Sequence, residues 1–291
     1  MNQLKIFIEL TRLNKPIGFM LLFLPCSWGL ALAYNYNQDL KKLIYFLILF
    51  FLGSVLMRSA GCIVNDIVDK DIDKKVQRTK NRPLASGSIS VGRSFLYVMV
   101  LCLFAFLILI QFNNLTIFLG MFSMLLAFSY PFMKRITYWP QLFLGLTFNW
   151  GIIMAWTAMN NTISTEIILL YTSAIFWTLG YDTIYGLQDI VDDEIIGMKS
   201  TSIKFKNNPK FFVGMCYLIN FLIIIYIFRD HLGLNYFIFF ISIYMISLIS
   251  QVFIFDKNAP EKCLKTFKLN NFSGLFLLTS IFFYKIINDI C

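Results

Sequence analysis

The sequence predicts an all-α integral membrane protein with nine transmembrane helices. Three observations lead there. Of its 291 residues 58% are hydrophobic and 14% charged, with a mean hydropathy of +0.70, whereas a soluble domain carries about 25% charge. The apolar residues gather in continuous runs long enough to cross ~30 Å of hydrocarbon, which takes about 20 residues of helix. They do not alternate as lipid-facing strands would. Positive residues, finally, concentrate on every second connecting segment.

The first span, 16–34, opens at Pro16 and is too long for the core of a cleavable signal. The second, 43–63, follows Lys41 and Lys42, carries Arg58 and runs into an acidic stretch. The third, 94–112, follows Arg93, and a short Asn-rich turn separates it from the fourth, 115–133, which ends at Lys134 and Arg135. The fifth, 140–158, starts at Pro140. The sixth, 166–186, runs into a second acidic stretch. The seventh, 210–228, the eighth, 233–255, and the ninth, 271–288, complete one domain over residues 1–291. With the N-terminus inside, the inner segments carry 20 Lys and Arg and the outer ones Lys41, Lys42, Arg229 and Lys285. This bias orients the chain with the N-terminus cytoplasmic and the C-terminus outside, in a membrane of the bacterial inner-membrane type. The net charge of +9 is then topological, and no basic stripe interleaved with exposed aromatics suggests nucleic acid. Cys26, Cys62, Cys102, Cys216, Cys263 and Cys291 form no CxxC pair and read as small buried hydrophobes, and His231 reads as an interface residue.

Nine of the sixteen acidic residues fall in two stretches, NDIVDKDID at 65–73 and YDTIYGLQDIVDDE at 181–194. Both lie at inner ends of spans, where carboxylates are costly unless they are paired or hold a cation. At 100° per residue, Asp66, Asp69 and Asp73 fall within about 60° on a helix, with Asn65 beside Asp69 and Asp71 pointing away. Asp182, Tyr185, Asp189, Asp192 and Asp193 likewise share about 80–100° of a helix, with Glu194 off that face. Two such columns facing each other need a counter-ion. Magnesium, a hard cation held by a few carboxylates together with substrate phosphates, fits them. The loop DKKVQRTKNRPLASG follows the first column and Lys199 the second. Arg78 and Arg82 are the cations best suited to grip phosphate oxygens, the other loop cations reading as membrane-surface anchors.

NDxxDxxxD at Asn65–Asp73, the following RTKNRPLASG, and YDTxYxxxDxxxDxxxGxKS at Tyr181–Ser200 resemble the UbiA prenyltransferase superfamily. RLNKPIGFMLLFLP at Arg12–Pro25 and YPFMKRITYWPQLFLGLTFNWG at Tyr130–Gly151 are similar to its 4-hydroxybenzoate polyprenyltransferase branch. The resemblance covers nearly the whole chain. It implies nine helices in a ring around a central cavity, with cytoplasmic cap loops after helices 2 and 6. It also implies magnesium bridging the motifs and a polyprenyl diphosphate, with Asn65, Asp66, Asp69, Asp73, Asp189 and Asp193 as the ligand set. Arg135 matches a family arginine in the loop after helix 4. Lys70 stands where many members carry arginine, which keeps the charge but loses the two-pronged fork.

The implied reaction is ionisation of an allylic diphosphate and capture of the cation by the ring carbon ortho to the hydroxyl of 4-hydroxybenzoate, a step of ubiquinone biosynthesis. Aromatic side chains suit such a cation. A sister enzyme acting on a naphthoate, homogentisate or haem is the nearest alternative. Haem is disfavoured because the single histidine lies far from both motifs. A divalent-cation transporter would carry polar residues deep in several spans, whereas here only Arg58 stands out.

Overall fold

The computed structural model describes residues 3–35, 40–232 and 236–290, without the side chains of His231 and 286–290. Every described apolar run is helical. A short helix α1 (Gln3–Thr11) precedes α2 (Ile17–Ala33) and α3 (Leu40–Val68). The segment 69–90 holds α4 (Lys70–Asp73) and leads to α5 (Val91–Leu109), α6 (Asn114–Ile136), α7 (Pro140–Asn160) and α8 (Thr165–Gly186). The segment 187–208 holds α9 (Ile190–Ile196) and α10 (Thr201–Lys204), and α11 (Pro209–Ile227), α12 (Tyr236–Ile254) and α13 (Pro260–Ile290) complete the chain.

Among the described residues, seven helices are long and apolar enough to cross a membrane: α3, α5, α6, α7, α8, α11 and α12. Helix α2 is as apolar but has 17 residues. Helix α13 has 31 residues and starts eleven before the expected span, with Glu261, Lys262, Lys265 and Lys268 along its first turns. The start of the eighth expected span, 233–235, lies outside the described residues, as does Cys291.

Local chemistry sets the boundaries. Asn113 accepts from the Thr116 amide (2.9 Å) at the start of α6, and Ser90 and Ser164 cap α5 and α8 in the same way. These caps satisfy amides that a helix start leaves without partners. Packing relies on small residues at crossings. At Gly29 a side chain would run into the Ile152 carbonyl of α7, and at Gly180 into the Tyr217 ring of α11. In lipid, where apolar transfer gives little drive, such close approach is a main source of helix association. The core gathers around Trp28, Trp177 and Tyr181.

The interiors are less neutral than the sequence reading supposes. Gln251 accepts from Tyr217 and Asn270 (2.9 Å each) and donates to Ser273 (2.9 Å), while Asn270 accepts from the Trp177 indole (2.9 Å). Tyr244 donates to Asn220 (2.7 Å), whose amide reaches Ser173. Each of these side chains finds a protein partner, so the network ties α8, α11, α12 and α13 together. Cys26, Cys62, Cys216 and Cys263 are buried and free, and Cys102 is half-buried and free.

Candidate active site

Both acidic stretches were expected to be continuous helix, and both are broken. Helix α3 ends at Val68, and Asp69 (φ −97°, ψ 5°) turns the chain into α4. Helix α8 ends at Gly186, and Asp189 (φ −114°, ψ 12°) starts α9. Each break lies where carboxylates crowd one face and the chain must turn back over the site. At the first break the i→i−4 hydrogen bonds Asp69 N–H to Asn65 (2.9 Å) and Asp73 N–H to Asp69 (2.8 Å) persist, so the helical phase survives, whereas at the second the amides of Leu187, Gln188 and Asp189 bond three residues back. Asp66, Asp69 and Asp73 are buried, and the Asp71 side chain is 87% exposed. Asp71 pairs with Lys74 (2.9 Å), whose hydrogen bond holds its carboxyl below the usual range. Glu194 faces away to Lys206 (2.6 Å). Gly197 (φ +78°) then closes α9 in the left-handed region, a conformation open to glycine at little cost.

Cations thread the acids together. Asp66 accepts from Arg12 (2.6 Å) and Arg82 (3.2 Å), and Arg82 also reaches Asp73 (2.8 Å). Asp69 pairs with Lys134 and lies 3.7 Å from Arg135. Arg78 crosses from the first loop to grip Asp189 through both Nε (2.7 and 3.0 Å) and Nη2. It sits 5.9 Å over the Tyr185 ring. The Gln77 amide donates to Asp192 (3.4 Å). The loop after the first stretch thus closes onto the second.

The structure therefore brings Asp66, Asp69, Asp73, Arg78, Arg82, Asp189 and Tyr185 into one assembly, with Asn65 at its inner edge. Arg135 touches it from the side and donates to the Val68 carbonyl (2.7 Å). Lys70 opens α4 and is half-buried. Lys199 stays apart from the acids. Its Nζ donates to the Ile136 carbonyl (3.1 Å) and its amide to the Lys134 carbonyl (2.9 Å), so it anchors the segment that bears Lys134.

Three cations escaped the sequence reading: Arg12, Lys134 and Arg58. Arg12 and Lys134 stood among the inner positive charges, and nothing in their spacing set them apart from anchors. Arg12 adopts φ +55°, in the left-handed region. An unusual backbone at a residue bonded to a buried carboxylate marks a constrained site. For Arg58 the signal was visible as the one cation inside a span.

Beneath the acids lies an apolar cavity of about 370 Å³, lined by α2, α3, α5, α6 and α7 and bounded on one side by Asn65. Arg58 and Tyr130 line it. The Arg58 guanidinium lies 5.2 Å over the Phe148 ring, and its Nε is buried without a hydrogen-bond partner. Gly18 leaves room for it, since a Cβ there would come within 2.8 Å of Nε.

Among the described residues, no three His, Cys, Asp or Glu side chains converge closely enough to hold a metal alone. The donors nevertheless suit a hard cation that completes its shell with phosphate and water. Asp69 Oδ1 is buried without a hydrogen-bond partner. Burial pushes the Asp69 carboxyl above its ordinary range despite the pull of Lys134. Asp193 is pushed up to about 6 by burial and then by the neighbouring Asp189. Burial thus disfavours the charge on both carboxyls, which a bound cation would offset.

Residues 22–279 match the UbiA prenyltransferase family. The mitochondrial 4-hydroxybenzoate polyprenyltransferase of Bos taurus is 42% identical over 94% of this chain and 74% of that one. Alignments to the human and rat counterparts span about half of those proteins' length. The 4-hydroxybenzoate octaprenyltransferase of Vibrio atlanticus is 38% identical over 96% of both chains. Among solved structures, a UbiA homologue from Aeropyrum pernix superimposes with a TM-score of 0.75 at 22% identity, over 94% of this chain and 98% of that one. One from Archaeoglobus fulgidus bound to GPP and Mg2+ gives 0.68 at 17% identity, over 98% and 100%.

Proposed function

The chain belongs to the UbiA prenyltransferase family, and on that premise we propose that it moves a polyprenyl group from its diphosphate to 4-hydroxybenzoate. The new bond forms at the ring carbon ortho to the hydroxyl, in ubiquinone biosynthesis. One observation supports this above the rest: a buried and a half-buried acidic stretch, tied together by Arg78, sit over an apolar cavity lined by the Arg58 guanidinium, whose Nε has no hydrogen-bond partner. The acids and loop cations suit a metal-bound diphosphate, the cavity suits an isoprenoid, and Arg58 suits an aromatic carboxylate.

Magnesium held by Asn65, Asp66, Asp69, Asp73, Asp189 and Asp193 would supply the charge that lets diphosphate depart. The chain's own residues do the rest. Arg78, Arg82, Arg12 and Lys134 lie within reach of the same oxygens and neutralise the leaving group. Lys70 and Lys199 serve the same end from the rim, Lys199 by holding the Lys134 segment in place. Arg58 grips the acceptor carboxylate and so fixes which ring carbon faces the allyl group. Arg135, bonded to the Val68 carbonyl, steadies the turn at Asp69. The faces of Phe148 and Tyr130 stabilise positive charge, and the apolar walls keep out water that would quench the cation.

In this reading α2 and α13 join the seven apolar helices as spans, giving nine. The acidic site lies at the cytoplasmic face of a bacterial inner membrane and the C-terminus outside. Detergent-solubilised protein given prenyl diphosphate, magnesium and ring-labelled 4-hydroxybenzoate should form a 3-prenyl-4-hydroxybenzoate that chromatography separates. Product with a naphthoate or homogentisate and none with 4-hydroxybenzoate would replace the acceptor but keep the chemistry.

A further inference from the structure

The proposed transfer removes one proton from the acceptor ring, and the cavity wall has no base to receive it. Among the described residues the lining holds no carboxylate and no histidine. Its polar groups are hydroxyls, thiols, an indole, the Asn65 amide and Arg58, none of them a base at neutral pH. The acids above the cavity are engaged. Asp66 pairs with Arg12, Asp69 with Lys134, Asp73 with Arg82 and Asp189 with Arg78. Asp192 accepts from the Gln77 amide, Asp193 completes the proposed metal set, and Asp71 and Glu194 face outward. One acid of the two stretches remains.

Asp182 lies deeper than the others. It sits within the apolar helix α8, about 4.5 Å or one turn below Tyr185, over whose ring Arg78 rests. A carboxyl inside a span is costly unless it is paired or used. Among the described residues Asp182 has neither a hydrogen bond nor an ion pair. It is half-buried, and the charge that faces it is the Arg58 guanidinium. The Tyr130 hydroxyl feels both of them. Arg58 and Tyr130 line the cavity, so Asp182 belongs to the acceptor end of the site rather than to the diphosphate end. An acceptor held by its carboxylate on Arg58 therefore has an unbonded carboxylate beside it. Two carboxylates repel, so Asp182 does not help to grip the acceptor. What it can take from the acceptor is a proton.

We infer that Asp182 is the general base of the transfer. The donor C–O bond breaks first, with both electrons leaving on diphosphate. As the allyl carbon bonds to the ring carbon ortho to the hydroxyl, that carbon becomes tetrahedral and the ring takes up the positive charge. Its C–H bond then breaks, the electron pair restores the aromatic ring, and the proton passes to a carboxylate oxygen of Asp182. The sum is one prenylated ring, one diphosphate and one protonated Asp182, which returns its proton to water when the products leave. The inference rests on the proposed acceptor and reaction.

The test uses the full-length protein in detergent with magnesium, a prenyl diphosphate, and 4-hydroxybenzoate carrying either hydrogen or deuterium at both positions ortho to the hydroxyl. Wild type should turn over the two acceptors at about equal rates, because donor ionisation comes first. Asp182→Asn keeps the shape and removes the base. Its kcat should fall at least ~100-fold, with both KM values within about threefold of wild type. The deuterated acceptor should then react about threefold more slowly, since proton loss has become limiting. Melting curves in detergent check the fold. If Asp182→Asn does not fold, the comparison passes to Asp182→Glu, whose carboxylate is displaced by one methylene: a lower kcat with an isotope effect supports the base, and wild-type turnover overturns it. A loss without an isotope effect, whether in kcat or in the KM for 4-hydroxybenzoate, would make Asp182 a support for Arg58 and overturn the inference, as would near-wild-type turnover in Asp182→Asn. No prenylated product from wild type would instead remove the reaction on which the inference rests.

Discussion

Replacing Arg58 by methionine tests the acceptor end of the site without touching the acids. The guanidinium is the one cation lining the cavity, its Nε has no partner, and Phe148 supports its face. Methionine keeps most of the length and apolar contact, so the loss isolates the charge. A hydrogen bond to a charged group contributes about 1.5–3 kcal/mol, equivalent to about 10- to 150-fold in affinity. The expected result is a rise of that size in KM for 4-hydroxybenzoate, with the prenyl diphosphate KM nearly unchanged. An analogue in which the carboxylate is replaced by a neutral carboxamide completes the cycle. Wild type should lose about the same factor with the amide, and the variant should lose almost nothing further, because both changes remove one interaction. Initial rates in detergent, with each substrate varied in turn, suffice. Additive losses, or an unchanged KM in Arg58→Met beside a raised one in Arg135→Ala, would take the carboxylate away from Arg58 and give it to Arg135.

Asp69→Asn and Asp189→Asn should each reduce turnover at least ~100-fold, about 2.7 kcal/mol of transition-state stabilisation, with partial recovery at high magnesium. Asp71→Asn and Glu194→Gln, exposed and paired outward, should cost less than about tenfold, and matching losses at Asp71 and Asp69 would contradict the shared face. Burial and the neighbouring Asp189 push the Asp193 carboxyl up to about 6, and it must be ionised to hold a cation. Magnesium affinity, followed by calorimetry with a non-hydrolysable diphosphate analogue present, should therefore rise with pH and level off above about 7, being roughly tenfold weaker at pH 5; a flat profile would exclude Asp193 as a ligand. Cysteines placed at Lys80 and Lys206 should react with impermeant maleimide only from the cytoplasmic side, and one at Asn161 only from outside, because of the inner bias of positive charge.

How much was legible follows from what each signal depends on. Span positions depend on composition over twenty residues, and the helices obey it except α13, whose first turns carry charge and escape a hydropathy window. The facing of Asp66, Asp69 and Asp73 depends on a 3.6-residue period, and it held because the break at Asp69 preserves the i→i−4 bonds. The break after Val68 left no trace, since no glycine or proline marks it, whereas Gly186 ends α8 at the second. Partner choice was unreadable. That Arg12 reaches Asp66 across 54 positions, or Lys134 reaches Asp69 across 65, depends on how α1 and α6 pack on α3, and local pattern carries no information on that. Lys199 shows the reverse case: its place beside the second stretch suggested phosphate, while its hydrogen bonds go to backbone carbonyls.

The charges explain why so many ions are tolerated beside an apolar cavity. Arg12, Arg78, Arg82, Lys134 and Arg135 stand against Asp66, Asp69, Asp73, Asp189, Asp192 and Asp193, so the protein presents a near-balanced set. A buried ion set of this kind adds little stability, because desolvation offsets attraction. In the proposed reaction its value would lie in preorganisation: the donors and acceptors that a diphosphate and its metal need would be fixed before they arrive. Arg58 obeys the same logic at the opposite end. Its Nε is buried without a hydrogen-bond partner, and in the proposed reaction an acceptor carboxylate bound there would orient its own ring. In the proposed reaction, donor and acceptor would therefore be selected by separate charges, held apart by an apolar cavity in which the allyl cation would meet ring carbon before water.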